Sequence, residues 1–235
     1  KLYKKSLEFD PEFYLAYYQL GVLEKKQGNF KLAISNLNKV LEIKPNHEKT
    51  WFTLGAAYEA DGLTEDAIEH YSKAIEINPG YSIAYGNIGK LYISIGEYVK
   101  AEDLLKTITQ IDPNYAEGFN GLALLYKEQE KYIEAIQNLK NAILIDDKDH
   151  LKFYNLAFAN NKIEKWKEAG QAAQKCIDLK RSYSAGWYEL GIAELGKKNR
   201  TRAKKHFEEA RKDREWRELA ELEIDKINNP IKYQK

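Results

Sequence analysis

The chain has 235 residues, 43% of them hydrophobic and 31% charged, and its 37 basic and 36 acidic side chains leave a formal net charge of +1. That length can bury a sizeable core as one or two domains, and the charge balance argues against a dedicated nucleic-acid or anionic-membrane protein, whose partner would call for a basic excess. No apolar run approaches the roughly 18 residues of a membrane span, and with one cysteine, Cys176, no intrachain disulfide can form.

Residues 1–13 read as the second helix of a repeat that begins upstream. Lys1 to Asp10 are amphipathic and carry no apolar signal-peptide core. Because the chain opens in mid-repeat and contains no Met, it is expected to be a piece of a longer protein. From there a period takes over. Pro11, Pro45, Pro79 and Pro113 are four of only five prolines, and each lies 34 residues from the next. A fixed period of that size signals tandem repeats.

A 34-residue frame then gives six repeats without insertion: 14–47, 48–81, 82–115, 116–149, 150–183 and 184–217. The fourth position is always aromatic: Tyr17, Trp51, Tyr85, Phe119, Phe153 and Trp187. The seventh is always aliphatic, from Leu20 to Leu190, and the eighth is Gly21, Gly55, Gly89, Ala123, Ala157 and Gly191. The twentieth is alanine every time, from Ala33 to Ala203. Positions 4, 7, 8 and 11 recur at helical spacing, and 17, 20, 24 and 27 define a second apolar stripe, so each repeat holds two helices.

The small residue at position 8 is expected to face the alanine at position 20 and let the two backbones approach closely. Gly28, Gly62 and Gly96 fall between the helices, where a helix C-terminus favours positive φ. Later repeats depart from this pattern. The proline position becomes Asp147, Arg181 and Glu215, and the inter-helix glycine becomes Glu130, Glu164 and Lys198, which reads as drift within the same fold. Trp216, Leu219 and Ala220 restart the 4, 7, 8 pattern early, so residues 214–228 are expected to form a capping helix with a polar outer face. Asn228-Asn229-Pro230 would end that helix, and a frayed tail over 229–235 would follow.

The second repeat, Trp51-x2-Leu54-Gly55-x2-Tyr58 followed by Ala67-x3-Tyr71 and Pro79, resembles the tetratricopeptide repeat family, and the resemblance spans at least residues 11–217. It implies an all-α fold: a right-handed α-solenoid of antiparallel helix pairs, one continuous domain with a concave inner face and a C-terminal capping helix. In this family that face is lined chiefly by positions 2, 5, 6, 9, 12 and 13 of the first helix. Carried over, these positions place Tyr18, Phe52, Asn87, Lys90, Asn120, Leu124, Tyr154, Asn155, Phe158 and Tyr188 in the groove.

Asn87, Asn120 and Asn155 recur in three successive repeats, and a carboxamide can both donate to and accept from an extended peptide backbone. Tyr18, Phe52, Tyr154, Phe158 and Tyr188 would sit unpaired on the concave face, and exposed aromatic patches mark interaction sites. The expected function is a non-enzymatic scaffold that binds an extended peptide or helix of a partner protein. The Lys/Asn clamp by which chaperone-binding members grip an Hsp70 or Hsp90 tail is absent, because no three consecutive repeats carry its residues.

No catalytic, metal or cofactor motif stands out. His47, His70, His150 and His206 are far apart in the repeat order, and His70 and His206 share position 23, read as a solvated helix face. Cys176 occupies position 27, a small-residue slot that implies a buried, inert thiol. Asp146, Asp147 and Asp149 cluster in an inter-repeat turn, where acids suit the start of the next helix. All six arginines follow residue 180, and Lys197 to Arg217 carry ten basic and four acidic residues.

Lys197, Lys198, Arg200, Arg202, Lys204 and Lys205 thus form a basic patch, with a nucleic acid or other polyanion as the alternative partner and a solvated outer face as the plainer reading. A third reading is self-assembly that buries the groove aromatics. The compartment stays open, a cytoplasmic setting being slightly favoured.

Overall fold

The computed structural model describes residues 2–233. Every element among them is helical, and they fall into two compact units, Lys1–Pro113 and Asn114–Lys235. The first unit holds α1 (Leu2–Phe9), α2 (Tyr14–Lys26), α3 (Phe30–Ile43), α4 (Glu48–Ala60), α5 (Thr64–Ile77), α6 (Ser82–Ser94) and α7 (Tyr98–Ile111). The second holds α8 (Ala116–Glu128), α9 (Tyr132–Ile145), α10 (His150–Lys162), α11 (Trp166–Leu179), α12 (Ser184–Gly196), α13 (Arg200–Ala210), α14 (Arg217–Asn228) and a 3-10 turn (Pro230–Tyr233). The even-numbered helices α2 to α12 begin at residues 14, 48, 82, 116, 150 and 184, where the six 34-residue frames begin. Each is 13 residues long and is joined by a short turn to the helix that follows, which makes the pair antiparallel.

Each of these first helices ends in the same way. In α2 the Asn29 amide donates to the Glu24 carbonyl at 2.9 Å and the Gly28 amide to that of Lys25 at 3.0 Å, two bonds that close a helix through one left-handed residue. That residue is Gly28, Gly62 or Gly96 in the first unit, with φ of 81°, 82° and 78°. In the second unit the same bond pairs recur at Glu130, Glu164 and Lys198, with φ of 58°, 60° and 63°. The substitutions that read as drift have therefore kept the left-handed turn and lost the residue that adopts it without strain, at a cost of roughly 1–2 kcal/mol each. Glycine carries an entropic penalty of its own, so Glu130→Gly, Glu164→Gly or Lys198→Gly is expected to raise stability by about 0.5–1 kcal/mol per site in urea unfolding. Gly62→Ala is expected to lower it by a similar amount.

The packing within each pair corrects one expectation. All six position-20 alanines are fully buried and the Ala33 carbonyl would lie 3.3 Å from a Cβ on Gly21, but the nearest atoms above the position-8 glycines belong to position 24. A Cβ on Gly21 would meet Leu37 Cγ at 2.6 Å, one on Gly89 would meet Leu105 Cδ2 at 2.7 Å, and Gly55 and Gly191 lie against the rings of Tyr71 and Phe207. Helical side chains lean toward the N-terminus of their own helix, so the position-24 side chain reaches back over the alanine one turn earlier and covers the glycine. Where position 8 is Ala157, position 24 is correspondingly the small Ala173.

The aromatic fourth position also ties down the turn before it. Trp51 Nε1 donates to the Pro45 carbonyl at 2.7 Å, and Trp187 Nε1 to that of Arg181 at 2.8 Å. The second bond holds with Arg181 in place of the proline.

The C-terminal cap starts at Arg217, three residues later than expected. The Asp213 carboxylate accepts from the Glu215 amide at 2.8 Å and keeps the chain in a turn until Trp216, whose ring packs 5.1 Å from that of Tyr188. Ala220 and Ile224 of α14 are buried, whereas Leu219 is 47% exposed, so the restarted pattern seats only part of the helix. The start of the tail folds back on α14, where Lys232 and Tyr233 both donate to the Asp225 carboxylate. Lys1 and residues 234–235 of the expected helix and tail lie outside the described residues.

Candidate functional site

In the first unit the proposed groove residues come from the first helices and are tied to their neighbours. The Tyr18 hydroxyl of α2 lies 3.2 Å from Thr53 Oγ1 of α4, and its ring meets His47 edge-on at 5.7 Å. Phe52 is half-buried between Tyr71 and Tyr81, at 5.1 and 5.2 Å between ring centroids. The fully buried Tyr71 donates its hydroxyl to Glu59 and lies within hydrogen-bonding reach of Asn87, and burial together with Glu59 pushes its phenol far above the ordinary range. Lys90 is exposed.

In the second unit α8, α10 and α12 carry the other candidates. Lys127 of α8 donates to Asn155 Oδ1 of α10 at 3.3 Å. Asn120 donates to Glu117 one turn back on its own helix at 3.1 Å. Leu124 is half-buried. Tyr154 meets Tyr183 edge-on at 5.5 Å, and burial raises its phenol well above the ordinary value. Phe158 lies under two ammonium groups, 5.8 Å from Lys127 Nζ and 5.2 Å from Lys162 Nζ. Tyr188 packs on Phe207 and Trp216.

Two expectations change here. Tyr18, Phe52, Tyr154, Phe158 and Tyr188 are half-buried and each has a ring or cation partner, so none of them is unpaired. Asn120 and Asn155 are buried at 9% exposure and already hold hydrogen bonds within the protein. The partners come largely from within the pair: Phe52, Tyr154 and Tyr188 meet rings of the second helix or closing turn of their own repeat, Asn120 bonds its own helix, and Asn155 meets Lys127 of the preceding repeat.

Two pairings were not legible in the sequence, although Asn161 and Glu189 themselves fall at groove positions 12 and 6. Asn161 and Glu189 face each other across α10 and α12, the Asn161 amide donating to Glu189 Oε2 at 2.8 Å and to the Glu189 carbonyl at 2.9 Å. Burial pushes the Glu189 carboxyl up to about 7, against the pull of the Asn161 hydrogen bond and the nearby Lys162 charge. The other is Lys152, 1% exposed, whose ammonium sits 2.7 Å from Asp146 and 3.3 Å from Glu117. Asp146 is therefore engaged as an ion-pair partner, while Asp149 caps α10 by accepting from the Leu151 amide at 2.9 Å. The available signal for Lys152 was its place at the third position, which is Ala16, Thr50, Ala84, Gly118 and Gly186 in the other repeats, whereas the twelfth position of Asn161 is mostly charged elsewhere, as at Lys25, Glu59 and Lys127.

Cys176 is fully buried against Gly186, and burial raises its thiol to about 12, too high for a nucleophile. His70 and His206 are half-buried rather than fully solvated, each lying against aromatic rings. His206 stacks on Trp187 at 5.7 Å, and His70 lies 4.7 Å from Tyr58 and 5.7 Å from Trp51. In the basic patch Lys198, Arg200, Arg202 and Lys205 are exposed, Lys197 pairs with Glu194 at 2.6 Å, and Lys204 donates to Asn228 of α14 at 3.0 Å. No helix among the described residues is long and apolar enough to cross a membrane.

Models of the tetratricopeptide repeat match residues 13–79, 58–125 and 116–149. No curated protein sequence matches the chain. Among solved structures it is similar to a chain of the APC/C hetero-tetramer Cut9–Hcn1, with a TM-score of 0.75 and 17% identity over 96% of this chain and 45% of that one. It therefore spans less than half the length of that relative. It is also similar to pilF of Pseudomonas aeruginosa, with a TM-score of 0.75 and 19% identity over 88% of this chain and 96% of that one. YrrB, described as a repeat protein with an unusual peptide-binding site, superposes with a TM-score of 0.64 and 17% identity over 79% of this chain and 97% of its own. At these identities the likeness is one of fold.

Proposed function

Since this chain belongs to the tetratricopeptide repeat family, whose fold serves as a scaffold for protein–protein interaction, we propose that it holds an extended segment of a partner protein along the first helices of its repeats. The observation that carries this reading is the line of polar and aromatic groups on α8, α10 and α12. Lys127, Asn155, Phe158, Asn161 and Glu189 are bonded from one repeat to the next, which fixes their rotamers before a partner arrives. A site with its side chains already ordered loses less entropy on binding. The peptide-binding site named for YrrB supports the idea that this fold can present one.

The reading is tested with random linear peptides displayed and selected on the wild-type protein. Phe158→Ala, or Asn87→Ala combined with Asn155→Ala, is expected to weaken the selected peptides about tenfold, the effect of truncating one interface anchor. Helicity by circular dichroism should stay unchanged. Undiminished binding in both variants would refute the groove. Self-assembly through the same half-buried rings is the competing reading, and a clean monomer by light scattering at high protein concentration removes it. The polyanion reading rests on Lys198, Arg200, Arg202 and Lys205, and it requires affinity for heparin that falls steeply with salt.

A further inference from the structure

In the second unit a cavity of about 200 Å³ opens between α10 and α12, walled by Phe158, Asn161, Lys162, Tyr188, Glu189 and Ile192. Sites for whole small molecules take roughly 300–1,000 Å³, so this one is sized for a single side chain. Its polar walls are covered: Asn161 is 7% and Glu189 is 5% exposed. The hydrogen bond between them uses Asn161 Nδ2 and Glu189 Oε2. The Asn161 Oδ1 atom is left buried with no donor among the described residues, and Asn161 is the one side chain there that donates to the Glu189 carboxylate. Phe158 and Tyr188 add two aromatic faces. Lys162, the one cation on the wall, has its Nζ over the Phe158 ring and makes no ion pair with Glu189.

A carboxylate with a single donor, set among aromatic rings beside an amide oxygen that has none, calls for a cation that can donate in more than one direction. We propose that this cavity receives an arginine side chain of the bound partner segment, an assignment that rests on the peptide-binding reading above. A guanidinium is flat and stacks on aromatic faces, and its fork of N–H donors can pair with the Glu189 carboxylate while its plane lies on a ring. An ammonium is a compact, strongly hydrated point charge that would use the rings poorly.

The probe is N-acetyl-arginine methylamide, titrated into the nitrogen-15-labelled protein at mildly alkaline pH. The Asn161 side-chain amide is an NMR reporter inside the cavity, and its resonances are expected to shift and saturate at roughly millimolar probe, the range of a single weak anchor. Glu189→Gln keeps the shape and the acceptor for Asn161, and it is expected to weaken the probe about tenfold or more, the factor for a hydrogen bond to a charged group. N-acetyl-citrulline methylamide, which has the same shape without the charge, needs no variant and should produce no saturable shift. The lysine analogue should bind more weakly than the arginine one. The proposal is overturned by a silent wild-type titration, by citrulline or lysine binding as tightly as arginine, or by unchanged affinity in a folded Glu189→Gln. The probe is one amino acid, so its binding does not depend on capture of peptides. Peptide capture without arginine binding removes the pocket alone, and arginine binding without peptide capture removes the groove alone.

Discussion

Phe207→Ala is expected to cost about 3–5 kcal/mol of unfolding free energy, the range for deleting a buried aromatic ring. Phe207 is fully buried and forms a cluster with Ala203, Ala210, Ala220 and Ile224, flanked by Tyr188, Ile192 and Leu195. Its ring lies on Gly191, where a Cβ would stand 2.6 Å from Cε1, so the ring occupies a slot that only glycine leaves open. The backbone of α12 forms the floor of that slot and cannot collapse into the space left by the ring, which places the cost toward the upper end of the range.

The effect should also be local. The α14 helix is seated through Ala220 and Ile224 on this cluster, and Trp216 rests on Tyr188, so amide exchange should accelerate first in α14. Gly191→Ala alone should cost about 1–3 kcal/mol by overpacking the ring. Combined with Phe207→Ala it should cost less than the sum of the two, because an Ala–Ala pair is what the chain already uses at Ala157 and Ala173. Urea denaturation of the three variants checks all of this. A loss under 1 kcal/mol for Phe207→Ala, or strict additivity of the pair, would contradict the packing described.

Glu189→Gln is expected to do the opposite at alkaline pH and stabilise the protein. Burial raises the Glu189 carboxyl from an ordinary value of 4.5 to about 7, so the folded chain holds this proton more tightly than the unfolded chain does. The stability contributed by that proton is fully present below pH 4.5 and is lost as pH rises through 7. Above that point the fold carries a buried charge whose burden is of order 2–3 kcal/mol. Glutamine keeps the acceptor for Asn161 and removes the charge. The variant should therefore match the wild type near pH 4.5 and exceed it by that amount above pH 8. Urea midpoints measured across this interval check the sign. Parallel wild-type and variant curves would show that Glu189 is not buried as described. A residue that weakens the fold at neutral pH and faces a side-chain-sized cavity has the character of a binding group retained at the expense of stability.

Much of this was legible beforehand, for a physical reason that can be named. The aromatic fourth column, the small eighth and the invariant alanine at the twentieth are repeated six times, and a helix must place such residues on one stripe. The first helices accordingly begin where the frames begin, at Tyr14, Glu48, Ser82, Ala116, His150 and Ser184. Gly28, Gly62 and Gly96 announced a left-handed turn because no other residue adopts it as freely. Glu130, Glu164 and Lys198 hid the same turn, because the pair of hydrogen bonds that closes the helix can hold a side chain there against its preference.

The repeat period, the two helices per repeat and the apolar face of each were determined by the sequence alone, since they depend on spacing along one helix. Which groups meet across helices was decided only by the tertiary structure. Phe207 rather than Ala203 lies on Gly191, Lys152 draws Asp146 and Glu117 around itself, and Asn155 and Glu189 are buried with partners, Lys127 and Asn161, from the preceding repeat. Helical phase says which way a side chain points; whether it meets solvent or another side chain depends on the sizes of residues a repeat away, and that summed packing has no signature in any single column.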